Sequence, residues 1–173
     1  GKFTHKDKNY ILVDLPGTYS LLANSAEEQV ARDFICFGHP HATVIVTDAT
    51  CLERNLNLAL QIMEITDKVV VCVNLLDEAR RKKIHVNLRK LSGLLGVPVV
   101  GTSASTGKGL SELKDTIEKV ACGELVTTPF KVNYDQSLIK IIKEAAPYIE
   151  EIAGSQINSR WAVLRLTDED SSL

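Results

Sequence analysis

Two stretches, Ala42-Thr43-Val44-Ile45-Val46-Thr47 and Lys68-Val69-Val70-Val71-Cys72-Val73, are apolar and β-branched almost without interruption. Runs this short and this continuous read as strands covered on both faces, the pattern of a parallel sheet between layers of helix. The residues between them carry leucine at 52, 56 and 60 and methionine at 63, which is helical spacing. Asn9-Tyr10-Ile11-Leu12-Val13 and Pro98-Val99-Val100 read as further strands, the first of them also buried. Ser25 is expected to cap a helix with Glu27 and Glu28 in its first turn, running to about Phe37 and ended by Gly38. Leu88, Leu91, Leu94 and Leu95 mark a helix stopped by Gly96, and Leu110, Leu113, Ile117 and Val120 mark another ending at Gly123. Strands that alternate with helices of this length predict an α/β fold, mostly parallel, with helices on both faces of the sheet. Ligands of such sheets bind beyond the carboxyl ends of the strands. The places to look are therefore just after Val13, Val73 and Val100.

A break falls at Thr127-Thr128-Pro129. Beyond it Leu138, Ile141, Ile142 and Ala145 form a helical stripe, expected to be interrupted at Pro147 and to resume at Ile149 and Ile152. Trp161 and Leu164 suggest one more helix before the acidic end, Asp168-Glu169-Asp170, which reads as a solvated tail. The expected organisation is an α/β domain over residues 1–125 and a small, partial helical appendage over 130–173.

Composition removes several function classes. The 173 residues carry a net charge of −2, which makes no bulk electrostatic case for nucleic acid or an anionic membrane. The basic run Arg80-Arg81-Lys82-Lys83 reads as a solvated helix end. Cys36, Cys51, Cys72 and Cys122 have no metal-ligand spacing and read as reduced core thiols. His39 and His41 flank Pro40 in a loop, with no carboxylate or cysteine close by to complete a metal site. No signal peptide opens the chain, and no apolar run approaches the ~20 residues of a membrane helix; as it stands, the chain is expected to be soluble.

Three strand ends carry the chemistry. After the first comes Asp14-Leu15-Pro16-Gly17, a D-x-x-G pattern. Its aspartate can hold hydrated Mg²⁺, and its glycine lets a backbone N–H approach a terminal phosphate. A plain Pro-Gly turn accounts for the same residues. After the third comes Asn74-Leu75-Leu76-Asp77, an N-x-x-D pattern, whose carboxylate can accept both N1–H and N2–H₂ of guanine, a contact that adenine cannot make. Simple helix capping is the alternative. After the fourth comes Thr102-Ser103-Ala104, small enough for a loop backbone to reach a base edge and donate an N–H to guanine O6. Each pattern alone is common. Their order, with the second beginning sixty residues after the first and the third about thirty further on, is that of the third, fourth and fifth motifs of P-loop GTPases. Gly101 to Lys108 imitates a Walker A loop. It has five residues between its glycines rather than four, and Gly109 stands where Ser or Thr must ligate Mg²⁺. It reads instead as the approach to the last helix of the sheet.

Val13-Asp-Leu-Pro-Gly-Thr-Tyr-Ser-Leu21, Glu27-Glu-Gln-Val-Ala-Arg-Asp33, Leu52-Glu-Arg-Asn-Leu56 and Asn74-Leu-Leu-Asp77 together resemble the amino-terminal G domain of the ferrous iron transport protein B family, over roughly residues 1–125. The helices beyond residue 130, with Arg160-Trp161, are similar to the helical spacer that follows that domain. The resemblance implies GTP and GDP as ligands with Mg²⁺ held by Asp14 through water, and slow GTP hydrolysis. It places Asp14, Leu15, Pro16 and Gly17 at the phosphates, Asn74, Leu75 and Asp77 at guanine, and Thr102, Ser103 and Ala104 beneath the base. It makes residues 18 to about 32 a switch that orders with the γ-phosphate. It also implies a membrane pore domain in the same polypeptide, on the cytoplasmic face of a bacterial inner membrane. Thr18 stands where many GTPases have a water-positioning glutamine, so no catalytic residue is identified. Leu75 replaces the lysine of N-K-x-D, and modest nucleotide affinity is expected. Gly1-Lys2-Phe3 is expected to pair with residues 9–13 across a His5-Lys6-Asp7-Lys8 turn. The P-loop and first switch of the family precede that strand, and no G-x-x-x-x-G-K-[S/T] occurs in the sequence. The 173 residues alone are therefore expected neither to bind GTP tightly nor to hydrolyse it. Two other readings stand beside this one: a non-hydrolysing GTP/GDP sensor, and a soluble GTPase acting on ribosome or tRNA.

Overall fold

A computed structural model describes residues 1–18, 20–21, 25–154 and 156–167. Its centre is a parallel sheet of three strands in the order β3 (Thr43–Asp48), β4 (Val69–Asn74), β5 (Val99–Gly101). The register sets Ile45 beside Val71 and Val71 beside Val99. The valines of β4 alternate between two cores. Val69, Val71 and Val73 face a cluster built from α1 (Ala26–Phe37), α2 (Leu52–Ile65), α3 (Leu76–Arg81) and α4 (Leu88–Leu95), whereas Val70 joins Val100 and Val120 of α5 (Leu110–Ala121) on the other face. Helices therefore cover both faces, as expected. Among the described strands β4 is the most deeply buried, with Val69 to Val73 all inside; β3 lies at an edge of this sheet, and its Val46 is 65% exposed. An apolar run reveals burial propensity but not strand order, and so β3 is less covered than its composition suggests.

The helix ends follow local chemistry. Ser25 accepts from the Glu28 N–H and starts α1, which stops before Gly38. Gly96 (φ +67°) ends α4. Arg80 and Arg81 form the exposed last turn of α3, and Lys82 and Lys83 follow.

β1 (Lys2–His5) and β2 (Lys8–Ile11) pair across a Lys6-Asp7 turn as expected, but they form a separate antiparallel sheet of two strands. The expectation of a buried strand over residues 9–13 is wrong. β2 is paired on one side only, to β1, and Ile11 is 78% exposed, with Leu12 and Val13 exposed beyond it. A hydrogen bond between His5 and Asp115 and ion pairs from Lys6 and Lys8 to Asp115 and Glu118 fasten the hairpin to α5.

Beyond the break, α6 (Gln136–Ala153) and α7 (Ser159–Thr167) pack on each other, and α7 packs on α2. Pro147 does not interrupt α6. Pro147 and Lys143, whose carbonyl loses its helical donor, both lie on the exposed side, where water can supply the missing bond. Trp161 is buried in the same core as α1 and α2, and Arg160 donates to Glu64 at 2.8 Å and to the Val132 carbonyl at 2.8 Å. The expected core thiols hold for Cys36 and Cys72; Cys51 and Cys122, at the ends of α2 and α5, are exposed. His39 and His41 lie in a loop and are exposed. Asp168-Glu169-Asp170 lies outside the described residues.

Candidate functional site

The carboxyl ends of β4 and β5 are stitched into one rim. Asn74 closes β4, and its side-chain Oδ1 accepts from the Thr102 hydroxyl at 3.0 Å and from the Ala104 N–H at 3.1 Å. The Thr102 N–H donates to the Val73 carbonyl at 2.8 Å, and the Thr102 carbonyl accepts from the Leu76 N–H at 3.2 Å. Thr102 is 1% exposed and Ser103 4%, so these two loop residues are as buried as the core beneath them. The Ser103 hydroxyl accepts from the Asp77 N–H at 3.2 Å, tying the second loop to the first.

Leu75 between them has φ 61° and ψ 32°, a left-handed conformation that costs a side-chain-bearing residue roughly 1–2 kcal/mol. Strain of this kind persists where the surroundings fix it and collects at functional sites. Here it turns the chain sharply from β4 into α3 and puts Asp77 in that helix's first turn. Oδ1 of Asp77 is shut away from solvent and has no hydrogen-bond partner among the described residues, while Oδ2 lies 4.0 Å from the Arg81 guanidinium. Burial pushes the Asp77 carboxyl up. The N–H groups of Asp77 and Glu78, the Ser103 hydroxyl and the Arg81 charge outweigh it and hold the group below the usual carboxylate range. Asp77 is an anion at neutral pH with one oxygen still lacking a donor.

The glycine-rich stretch after β5 is the approach to α5, as expected. The Ser103 N–H donates to the Lys108 carbonyl at 3.0 Å, and a single 3₁₀ turn, Ala104–Thr106, fills the loop. Gly109 has φ +81°, and a Cβ there would stand 2.1 Å from the Gly101 carbonyl oxygen. The N–H groups of Thr102, Ser103 and Ala104 all donate within the protein, so a base carbonyl arriving at this loop competes with Asn74 for the Ala104 N–H.

Sequence reasoning passed over Asp48 and Asn55. Asp48 closes β3 opposite Asn74, and the Ala49 N–H donates to the Asn74 carbonyl at 2.9 Å. The Asp48 carboxylate accepts from the Thr50 N–H at 2.7 Å, a bond that holds its pKa below the ordinary value, and its own N–H donates to Asn55 Oδ1 at 2.8 Å. The signal was a β-branched run ending in aspartate at the same level as Asn74.

Asp14, Leu15, Pro16 and Gly17 stand apart from this network. They follow β2 as irregular backbone; Leu15 packs against the main core, Pro16 is half-buried, and Asp14 and Gly17 are exposed. No hydrogen bond reaches the Asp14 carboxylate among the described residues. Just beyond, the Thr18 hydroxyl donates to the Ser20 carbonyl and lies 3.4 Å from Glu28 Oε1, and the Leu21 N–H donates to Gln61 of α2 at 2.6 Å. Of the expected switch, Tyr19, Leu22, Ala23 and Asn24 lie outside the described residues.

The family model described as ferrous iron transport protein B matches residues 1–117. The chain belongs to the ferrous iron transport protein B (FeoB) family. The Fe(2+) transporter FeoB of Escherichia coli (strain K12) is 34% identical over 177 residues, an alignment that takes in 98% of this chain and 22% of the transporter. The chain thus spans less than a quarter of the curated FeoB relatives it matches. The cytosolic domain of T. maritima FeoB, solved in a GDP form and in a GMPPNP form, is 33% identical with a TM-score of 0.91 in both, over 99% of this chain and 67–68% of that one. The FeoB G-domain from Methanococcus jannaschii is 42% identical with a TM-score of 0.69, over 70% of this chain and 78% of that one. The three-stranded sheet and its helices are accordingly part of the FeoB GTPase fold. No helix among the described residues is long and apolar enough to cross a membrane.

Proposed function

We propose that this chain is the guanine-recognising part of a bacterial Fe²⁺ transporter, binding GTP and GDP so that nucleotide state regulates iron passage through a membrane pore domain of the same polypeptide. The observation that carries the reading is the rim at β4 and β5. Asn74 clamps the Thr102–Ala104 loop, and beside it Asp77 keeps an ionised carboxylate with one oxygen unpaired. Guanine N1–H and N2–H₂ are the donors that such a carboxylate lacks, and adenine offers no equivalent pair. Leu75 packs beside the base in place of a lysine. In this reading residues 1–125 are the G domain and residues 130–173 part of a helical spacer, placed at the cytoplasmic face of the inner membrane.

Asp14 and Gly17 serve the other end of the nucleotide. The Asp14 carboxylate is exposed and unpaired among the described residues, which fits a role in holding Mg²⁺ through water; the bound ion would neutralise phosphate charge. Gly17 brings a backbone N–H to the terminal phosphate. The Thr18 hydroxyl, turned toward Ser20 and Glu28, replaces the glutamine that orients water in many GTPases, and hydrolysis is slow. The same residue favours a second reading, a sensor that binds GTP and GDP without turnover; single-turnover hydrolysis by the full-length protein separates the two.

The test is Asp77→Asn in the full-length transporter, followed by titration with fluorescent GDP and XDP. Two charge-assisted bonds are lost to guanine, so GDP affinity falls by roughly 10²-fold or more. An asparagine amide can donate to the O2 of xanthine, so XDP affinity rises. Unchanged GDP affinity overturns the assignment.

A further inference from the structure

We propose that His5, Asp115 and Glu118 form a binding site for a divalent first-row metal ion at the seam between the β1–β2 hairpin and α5. This site lies outside the nucleotide rim and does not depend on the reading of that rim.

Asp115 and Glu118 are three residues apart on α5 and therefore share a face. His5, the last residue of β1, reaches them from the hairpin, with Nε2 2.9 Å from Asp115 Oδ1. One ligand atom from each of the three residues lies within 4.8 Å of the others. Neighbouring ligands on an ion with bonds of about 2.1 Å sit roughly 3 Å apart. The His5–Asp115 pair already has that separation, and the small remaining closure falls to Glu118, whose side chain has rotatable bonds to spare.

The seam already attracts a cation. The Lys6 ammonium stands 2.6 Å from Asp115 Oδ1 and 3.4 Å from Glu118 Oε2, between the two carboxylates. Lys8 sits 2.7 Å from Glu118 Oε1. Both lysine side chains are more than half exposed, at 55% and 62%, so each can swing into water and leave the carboxylates to a metal. Tyr10 supplies a further polar group. Its hydroxyl is shut away from solvent without a hydrogen-bond partner among the described residues. A proton donor held there can bond the outer oxygen of a liganding carboxylate, the support that metal-bound carboxylates usually have. One imidazole and two carboxylates suit Mn²⁺, Fe²⁺, Co²⁺ or Zn²⁺; Mg²⁺, which takes oxygen ligands and keeps its waters, fits poorly. An ion here would clip the hairpin to α5 more tightly than the lysines do. It would thereby fix the strand that leads to Asp14.

The experiment is titration of the full chain with Co²⁺ alone, read by its visible absorption, with Zn²⁺ as competitor and Mg²⁺ as control. Saturable binding of one equivalent is expected, displaced by Zn²⁺ and not by Mg²⁺. His5→Ala and Asp115→Asn should each weaken it by about tenfold or more. Lys6→Gln should tighten it, because a competing cation is removed. That opposite response also separates a metal site from a simple ion-pair latch, and it does not depend on how well the His5 variant folds. Absence of saturable binding, binding unchanged by His5→Ala, or binding weakened by Lys6→Gln overturns the proposal.

Discussion

The two ends of the proposed nucleotide site are built in opposite ways. The rim formed by residues 73–77 and 102–104 grows directly from β4 and β5, is tied by five hydrogen bonds, and includes the nearly inaccessible Thr102 and Ser103. Residues 14–17 follow an exposed hairpin, have no regular structure, and leave Asp14 and Gly17 open to solvent. The contrast assigns two jobs to two kinds of backbone. Discrimination between bases needs donors and acceptors fixed before the ligand arrives, because an unsatisfied partner rejects the wrong base only if it cannot move away. Response to the γ-phosphate needs the reverse, a segment with little internal structure to give up, so that ligand contacts can order it. On the proposed reading, the rigid end would choose the ligand and the loose end would report its state.

The harshest test of the rigid end is Gly109→Ala. The methyl group would collide with the Gly101 carbonyl at 2.1 Å, in a backbone conformation that disfavours any side chain. Left-handed strain of about 1–2 kcal/mol adds to a steric displacement of about 1–3 kcal/mol. The collision lands on the end of β5, from which the Thr102–Ala104 loop springs, so unfolding free energy should fall by roughly 3 kcal/mol in urea titration and guanine affinity should fall with it. A variant as stable as the parent would mean that this rim is more pliable than its hydrogen bonds suggest.

Asn74→Ala sharpens the comparison from inside the network. Removing Oδ1 strips one partner from the buried Thr102 hydroxyl and the partner of the exposed Ala104 N–H. Thr102 keeps its contact with the Cys72 thiol at 3.3 Å, and Ala104 can turn to water, so the expected loss is about 1–2 kcal/mol. Nucleotide affinity in the full-length protein should fall by a larger factor than stability alone explains, because the loop then has to be ordered at the moment of binding. Equal losses in both would make Asn74 a structural residue only.

How far these features could be read from the chain depended on whether the relevant contact was local. β4 was legible because five consecutive residues, Val69 to Val73, are apolar and all are buried. β3 looked the same in sequence yet lies at an edge, since composition carries no information about which strand is central. Asn74, Asp77 and Thr102 were legible as residue types at strand ends, but the bonds from Asn74 to Thr102 and Ala104 span 28 and 30 residues and needed the fold. The left-handed turn at Leu75 left no trace, because leucine is not a residue that signals positive φ. Pro147 misled in the other direction. The helix-breaking rule assumes that the orphaned carbonyl goes unsatisfied, and on a wet helix face it does not.

The loose end is tested by a change that should do almost nothing to the fold. Asp14 is exposed, follows the last strand of the hairpin, and has no hydrogen bond among the described residues, so Asp14→Asn removes no structural contact. Its unfolding free energy should stay within about 0.5 kcal/mol of the parent. If Asp14 holds Mg²⁺ through water, the full-length variant should keep its affinity for GDP measured in EDTA and lose the increment that Mg²⁺ adds for GTP. Asp77→Asn should show the reverse pattern, losing affinity with or without the ion. The pair of variants therefore separates the two ends by metal dependence alone. A drop in stability for Asp14→Asn comparable to that of Asn74→Ala would show that residues 14–17 are as structurally committed as the rim, and the division between a rigid selector and a yielding reporter would fail.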